Sequence, residues 1–230
     1  MKTIELLISF ETEIARIADS FSKDDLNTAD STRLARIKHP GARQQFMVGR
    51  ALILEACQRS GADFRLLDTE GEFPTHPDLS FNLSHVERCI VLAWTTDSEL
   101  GVDVEDFMRR SDRELLMRRQ YNAPENEWIS KSTSELEHRQ RFFTLWTIKE
   151  AILKAERCGL RIDTKTIRVD MDAGTIGSPF ESKWVIDYTT LREFPIALAN
   201  VPPGEHISAF VGEPGNWAPQ VVDWRRLTPI

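Results

Sequence analysis

The order of apolar patterns along the chain limits its possible folds more than any other feature. A strand-like segment at 2–10 is followed by helical spacing over 28–57, where apolar residues recur every three or four positions. A block of strand-like segments lies between 64 and 105, a strongly helical stretch covers 141–158, and a second strand-like block covers 166–211. Strands and helices therefore alternate in blocks, which predicts an α+β protein made of two similar lobes.

The predicted elements can be placed more closely from turn residues and alternation. Pro40 splits the first helical region in two, and Gly61 ends it. The predicted strands are 2–10, 64–69, 79–83, 88–95, 101–105, 166–172, 183–189, 196–201 and 206–211. A chain of 230 residues accommodates two lobes of ordinary domain size. We predict an N-terminal lobe at 1–108 and a C-terminal lobe at 109–230.

Composition excludes several classes of function. A net charge of −7 disfavours nucleic-acid binding, which depends on a basic surface. The longest apolar run, 89–94, is far shorter than a membrane span, and the N-terminal segment lacks the pattern of a signal peptide. The three cysteines have no Cys-x-x-Cys spacing and are typical of reduced thiols. We therefore expect a cytoplasmic protein with neither a nucleic-acid nor a membrane partner.

Three segments carry polar residues inside apolar runs. The first is Leu79–His85, where a strand delivers Asn82, Ser84 and His85 into a turn. These side chains are donors suited to an anionic ligand, although this segment taken alone favours a turn that satisfies its own backbone.

The second segment is Gly101–Asp106, in which acidic residues alternate with valines. Residues two apart on a strand share a face, so Asp103 and Glu105 project together while Val102 and Val104 face the core. Two partly buried carboxylates repel each other unless a cation lies between them, and oxygen ligands favour Mg²⁺ or Mn²⁺. The alternative is a solvated strand face.

The third segment is the helix around 142–154, where Glu150 and Lys154 lie on one face at an i,i+4 spacing. Such a pair alone is typical of a weak surface ion pair. Beside Asp103 and Glu105, however, Glu150 would be a third carboxylate for the cation and Lys154 a positive charge for a phosphate group.

The three segments together resemble the Sfp-type 4′-phosphopantetheinyl transferases. The matching motifs are Phe81-Asn-Leu-Ser-His85, Gly101-Val-Asp-Val-Glu105 and Trp146-Thr-Ile-Lys-Glu-Ala-Ile-Leu-Lys154, and the resemblance covers residues 33–160. These enzymes transfer the phosphopantetheine arm of coenzyme A to a serine of a carrier protein. The resemblance implies a pseudo-dimer of two lobes within a monomeric chain, with coenzyme A in the cleft between the lobes.

The resemblance also implies roles for individual residues. Asp103, Glu105 and Glu150 would hold Mg²⁺ or Mn²⁺, and Lys154 would neutralise the leaving adenosine 3′,5′-bisphosphate as well as contact coenzyme A. Glu125 occupies the position of a glutamate suggested as the base for the carrier serine. The residues implied as contacts to the phosphates of coenzyme A are Arg43, Arg50, Ser84, His85 and, more weakly, Lys149.

Two departures from the family pattern remove positive charge. Gly71-Glu72 stands where the family often has Gly-Lys-Pro, and Leu54 stands where an arginine is common. Both changes affect the expected affinity for coenzyme A rather than the chemistry at the metal.

A cluster of basic residues follows the second segment. It consists of Arg109, Arg110, Arg113, Arg118 and Arg119. The cluster is either a solvated helix face or a docking surface for an acidic helix of a carrier protein.

Two alternative functions stay open. The carboxylates Asp103, Glu105 and Glu150 would also suit a Mg²⁺-dependent nucleotide phosphodiesterase. The second alternative is a non-catalytic module that binds coenzyme A or a carrier protein.

Overall fold

A computed structural model describes residues 3–69, 73–200 and 206–230, and it confirms the α+β class. The chain divides into two compact units. The first comprises Met1–Glu99 and Glu205–Val221, and the second comprises Leu100–Gly204 and Val222–Ile230. Within the described ranges, no helix combines the length and apolar character that crossing a membrane requires.

The elements of the described residues are numbered in chain order. The helices are α1 (Glu11–Ser20), α2 (Thr28–Arg36), α3 (Pro40–Ser60), α4 (Arg113–Gln120), α5 (Ala123–Ser130) and α6 (Glu135–Ala155). The strands are β1 (Thr3–Phe10), β2 (Ser80–Val86), β3 (Cys89–Thr95), β4 (Leu100–Val104), β5 (Arg168–Asp170), β6 (Thr175–Gly177), β7 (Val185–Leu191), β8 (Phe194–Asn200), β9 (His206–Glu213), β10 (Asn216–Gln220) and β11 (Arg225–Pro229).

The first unit contains a five-stranded sheet in the order β10-β9-β1-β3-β2. Strand β9 pairs in parallel with β1, with Ile4 opposite Ile207, whereas the other neighbours are antiparallel. Helices α1 and α3 pack against one another and against the sheet. Their apolar faces and the apolar side chains of the strands form the core of the first unit. Because β9 and β10 complete this sheet, the division of the chain differs from the predicted lobes 1–108 and 109–230.

The second unit contains a six-stranded sheet in the order β4-β8-β7-β11-β6-β5. Helix α6 packs on β4 and β8, and its apolar residues, among them Phe142, Leu145 and Ile148, lie at the centre of the core. Strand β4 is antiparallel to β8, with Asp103 opposite Ala197. This contact between α6 and β4 brings the second and third sequence motifs together.

Gly101 determines how closely α6 approaches β4. A Cβ atom built at Gly101 would lie 2.2 Å from the carbonyl oxygen of Ala151 and 2.4 Å from the backbone nitrogen of Ala155. Both neighbours are backbone atoms of the helix, which cannot turn aside as the end of a side chain can. Only glycine therefore permits this approach.

Most of the predicted elements are confirmed, with exceptions that have local causes. Helices α2 and α3 are separated at Pro40, and Gly61 ends α3 with φ of 80°. The strand predicted at 64–69 is wrong, because Phe64–Leu66 form a single 3₁₀ turn capped by Asp63. Helix α1, beginning at Glu11, was not predicted. The predicted strand end at Val201 lies outside the described residues.

Candidate active site

Three acidic side chains meet where β4 and α6 pack together. Asp103 lies on β4, Glu105 follows directly after that strand, and Glu150 lies on α6. Asp103 and Glu105 are buried, as are Val102 and Val104 on the opposite face. The strand therefore does not have a solvated acidic face, and the cluster needs a compensating positive charge.

The pKa values of this cluster reflect burial and mutual repulsion. Burial, followed by the charge of Asp103, raises the pKa of Glu150 to about 7, and Lys154 only partly opposes this shift. Burial and the charge of Asp103 also raise the pKa of Glu105. Burial and the nearby charge of Asp103 thus disfavour ionisation of Glu105 and Glu150.

Two basic side chains contact the cluster. Lys154 Nζ donates a hydrogen bond to Asp103 Oδ1 at 2.7 Å. Arg109 Nη1 donates to both oxygens of Glu105, at 3.2 Å from Oε1 and 3.1 Å from Oε2. Asp103 and Glu105 are therefore each paired with a protein cation.

The donor set is chemically suited to a hard divalent cation. Asp103, Glu105 and Glu150 offer only carboxylate oxygens, which Mg²⁺ and Mn²⁺ prefer over nitrogen and sulfur. Among residues 3–69, 73–200 and 206–230, however, no three His, Cys, Asp or Glu side chains are arranged to hold a metal ion as they stand. Coordination would require Lys154 and Arg109 to move away from the carboxylates.

Glu125 and Lys149 form a buried ion pair rather than the base and phosphate contact implied by the resemblance. Lys149 Nζ lies 2.6 Å from Glu125 Oε2, and both side chains are almost completely buried. The same Glu125 oxygen accepts from the backbone N–H of Asn122, and Oε1 accepts from that of Val169. Lys149 also donates to the carbonyl oxygen of Thr164 at 3.0 Å. In this arrangement Glu125 cannot reach a carrier serine, and Lys149 cannot reach a phosphate.

Arg50 and Arg43 are also committed to contacts within the first unit. Arg50 is buried and forms a two-point ion pair with Asp30, at 2.6 and 2.8 Å, beneath the ring of Phe46. Arg43 Nη1 donates to the carbonyl oxygen of Leu34 at the end of α2. The ion pair accounts for the buried Arg50 without a ligand, whereas the implied contact of the half-buried Arg43 to coenzyme A stays a prediction.

Ser84 and His85 both lie within β2 rather than in the predicted turn, which begins after the strand ends at Val86. Ser84 is buried and His85 is exposed, as the alternation of a strand requires. The side chains therefore lie on opposite faces of the sheet. His85 presents an accessible imidazole, whereas the hydroxyl of Ser84 lies in the protein interior.

The basic cluster is only partly available at the surface. Arg113 is paired with Glu135, and Arg109 is paired with Glu105. Arg110, Arg118 and Arg119 are exposed. The neighbouring apolar side chains of Met108 and Leu115 are 61% and 42% exposed. We call these five exposed side chains the partner surface: Met108, Arg110, Leu115, Arg118 and Arg119.

Two features of the site are not apparent from the sequence. Gly101 belongs to a motif, but its role in the approach of α6 appears only in the packing. Arg109 belongs to the basic cluster by sequence, yet it contacts Glu105. The spacing of Arg109 from Glu105 is a possible signal, but the segment forms a turn in which Arg109 N–H donates to Asp106 O, and no periodicity predicts that geometry.

Comparison with known proteins identifies the class to which this site is similar. Residues 99–199, which contain the acidic cluster, match the family model of the 4′-phosphopantetheinyl transferase superfamily. The 4′-phosphopantetheinyl transferase HetI of Nostoc sp. strain PCC 7120 is 28% identical over 160 residues, or 65% of each chain. The resemblance predicted from the motifs is thereby confirmed.

Further relatives extend the similarity to different lengths. The 4′-phosphopantetheinyl transferase gsp of Aneurinibacillus migulanus is 33% identical over 94 residues, covering 40% of this chain and 38% of the relative. A phosphopantetheinyl transferase of Thraustochytrium sp. strain ATCC 26185 is 25% identical over 227 residues, covering 89% of this chain and 77% of the relative. The match to HetI and gsp spans less than two thirds of either relative's length.

Proposed function

We propose that this protein is a 4′-phosphopantetheinyl transferase that modifies a serine of an acyl or peptidyl carrier protein with the arm of coenzyme A. The serine oxygen would form the new phosphoester bond, and the pyrophosphate bond would break. Adenosine 3′,5′-bisphosphate would leave, with net release of one proton. The observation that carries the proposal is the meeting of Asp103, Glu105, Glu150 and Lys154 within the segment matched by the family model.

Asp103, Glu105 and Glu150 would hold Mg²⁺ or, alternatively, Mn²⁺. The bound ion would supply a Lewis acid and a template for the pyrophosphate, whose oxygen charge increases during transfer. The three carboxylates would keep the ion at the end of β4, on the rigid contact between that strand and α6. The raised pKa values of Glu105 and Glu150 support this role, because a divalent cation would stabilise the ionised carboxylates against their burial and against the charge of Asp103.

Lys154 would neutralise the charge of the leaving bisphosphate. Its ammonium group is bonded to Asp103, and its side chain is 27% exposed, so it has access to solvent. Once Asp103 binds a metal ion, the ammonium group would be available for a phosphate oxygen. On the nucleotide side, the exposed His85 is the best supported contact to coenzyme A, and Ser84 remains a candidate.

We propose the partner surface as the contact for an acidic helix of the carrier protein. Arg110, Arg118 and Arg119 supply positive charge in an acidic protein, and Met108 and Leu115 supply exposed apolar side chains in the same stretch of the chain. Complementary charge would accelerate the encounter and make it sensitive to salt. We further propose that the protein acts as a monomer in the cytoplasm, in keeping with its free cysteines, of which Cys57 and Cys89 are buried.

The proposal is tested by intact-mass spectrometry of an apo carrier protein incubated with this protein, coenzyme A and Mg²⁺, with and without EDTA. We expect a metal-dependent mass gain of one phosphopantetheine arm on a serine. The Asp103→Ala variant should lose the activity, because it removes a proposed metal ligand. Asp172→Ala provides the control, since it removes an exposed aspartate from the same unit and should retain activity.

Other outcomes would point to the alternative functions. Coenzyme A binding without modification of any carrier protein would favour a binding module. Cleavage of coenzyme A without modification would favour a phosphodiesterase. Full activity of a folded Asp103→Ala protein would contradict the assignment of the metal site.

A further inference from the structure

Arg109 connects the buried acidic cluster with the protein surface. Its side chain is 57% exposed, whereas the side chain of Glu105 is only 8% exposed. Arg109 Nη1 nevertheless lies within hydrogen-bond distance of both Glu105 oxygens. The guanidinium group thus covers the carboxylate of Glu105 from the solvent side.

The backbone of Arg109 is fixed, but its side chain is held by little else. Arg109 N–H donates to Asp106 O, and its own carbonyl oxygen accepts from Arg139 Nη2 at 2.6 Å. Within the described residues, the side chain of Arg109 forms its hydrogen bonds and ion pair with Glu105. Ion pairs with an exposed partner contribute little net stability, so this contact can be exchanged at small cost.

A metal ion and a guanidinium group compete for the carboxylate of Glu105. When a divalent cation binds these oxygens, the guanidinium loses its partner and faces a site that has gained positive charge. Repulsion and the exposure of its side chain both favour its movement into solvent. The neighbouring Arg110 belongs to the partner surface, so the released group would lie beside that surface.

We propose that Arg109 is an exchangeable counter-ion of Glu105, which neutralises the carboxylate in the metal-free protein and joins the partner surface when the metal binds. This inference rests on the proposed metal site. Arg109 is a positioning residue that lowers metal affinity and couples metal binding to the acceptance of an acidic partner. Because such coupling is reciprocal, a bound carrier protein strengthens metal binding through the same residue.

The test measures Mn²⁺ affinity by electron paramagnetic resonance in the absence of coenzyme A. Arg109→Ala should bind Mn²⁺ about fivefold more tightly than the unmodified protein, the factor set by an ion pair of about 1 kcal/mol. Arg110→Ala removes the same charge from the adjacent exposed position. It should change the affinity by less than about twofold, because screening by salt weakens a charge without direct contact.

A second measurement tests whether binding of a carrier protein changes the affinity for Mn²⁺. An apo acyl carrier protein should tighten Mn²⁺ binding to the unmodified protein, and this gain should be smaller in Arg109→Ala. If Arg109→Ala is poorly folded by near-ultraviolet circular dichroism, Arg109→Gln serves in its place, since it preserves the stem of the side chain.

The outcomes separate this inference from the proposed function. Equal Mn²⁺ affinities of Arg109→Ala and Arg110→Ala would overturn the role of Arg109, even if the protein modifies a carrier. Absence of saturable Mn²⁺ binding in the unmodified protein would overturn both the proposed metal site and this inference. Whatever the Mn²⁺ affinities, modification of a carrier protein in EDTA-free buffer but not in the presence of EDTA would support the proposed transferase function.

Discussion

Glu125 and Lys149 show how burial changes what an ionisable side chain can do. The resemblance implies a base for the carrier serine at Glu125 and, more weakly, a phosphate contact at Lys149. In the structure they bind each other and connect the start of α5 with α6 and β5. Burial lowers the pKa of Lys149, and the charge of Glu125 opposes that shift. The pair therefore stabilises the packing beside Glu150 rather than taking part in proton transfer.

Replacement of Lys149 by methionine should destabilise the protein strongly. The change leaves the carboxylate of Glu125 buried without its partner, which typically costs about 3–5 kcal/mol. Urea denaturation would measure the loss in the free energy of unfolding. Lys131→Met removes a lysine from an exposed ion pair with Glu127 and should cost less than about 1 kcal/mol.

The double variant Glu125→Gln/Lys149→Met provides a further control. Since no charge remains in the buried position, it should recover part of the stability lost in Lys149→Met. A Lys149→Met protein as stable as Lys131→Met would contradict the structural role of the pair.

At the scale of elements, the contact between α6 and β4 fixes the geometry of the acidic cluster. Asp103 belongs to the strand, whereas Glu150 and Lys154 belong to the helix. The separation of these side chains therefore depends on how closely the two backbones approach. Gly101 permits that approach because it carries no Cβ atom.

Replacement of Gly101 by alanine should separate α6 from β4. The added methyl group meets helix backbone at 2.2 Å, and overpacking of this kind costs about 1–3 kcal/mol. The displaced helix should also weaken the Lys154–Asp103 contact and lower the proposed transferase activity of the folded fraction. Urea denaturation and the carrier mass assay would measure the two effects.

Gly177→Ala is the matched control for Gly101→Ala. Its Cβ atom would meet only the side chain of Ile230, at 3.3 Å, which can adjust. We expect a change below about 1 kcal/mol and no loss of activity. Equal stability and activity of the two alanine variants would show that the close approach at Gly101 is unimportant.

At the scale of the whole molecule, local patterns predicted most elements but not their partners. Alternation in 101–105 and helical spacing around 142–154 correctly predicted β4 and α6. The parallel pairing of β1 with β9 joins residues about 200 positions apart, and no local pattern encodes it. For this reason β9 was predicted in the C-terminal lobe.

The candidate site was likewise only partly predictable from local sequence patterns. The acidic residues Asp103, Glu105 and Glu150 could be recognised from their motifs, because alternation and helical spacing determine their faces. The ion pairs of Arg50 with Asp30 and of Lys149 with Glu125 could not be predicted from the motifs, because each pair joins separate elements across 20 or more positions. Burial of such groups depends on tertiary packing.

Removal of residues 222–230 should affect the two units differently. The deletion removes β11 from the interior of the second sheet and the ion pair between Arg226 and Asp187, but no strand of the first sheet. Hydrogen–deuterium exchange should show a large loss of protection in β7 and little change in β1 and β3. Equal loss of protection in both sheets would contradict the division into two compact units.

The late position of β9 and β11 has a consequence for synthesis on the ribosome. Strand β1 emerges first but lacks its parallel neighbour until residues 206–213 have been translated. The second sheet likewise lacks β11, which lies between β7 and β6, until residues 225–229 have been added. Neither sheet can be completed while the nascent chain is short. Both units should therefore finish folding almost together after their last strands leave the exit tunnel, which makes the partly synthesised chain a natural client for chaperones.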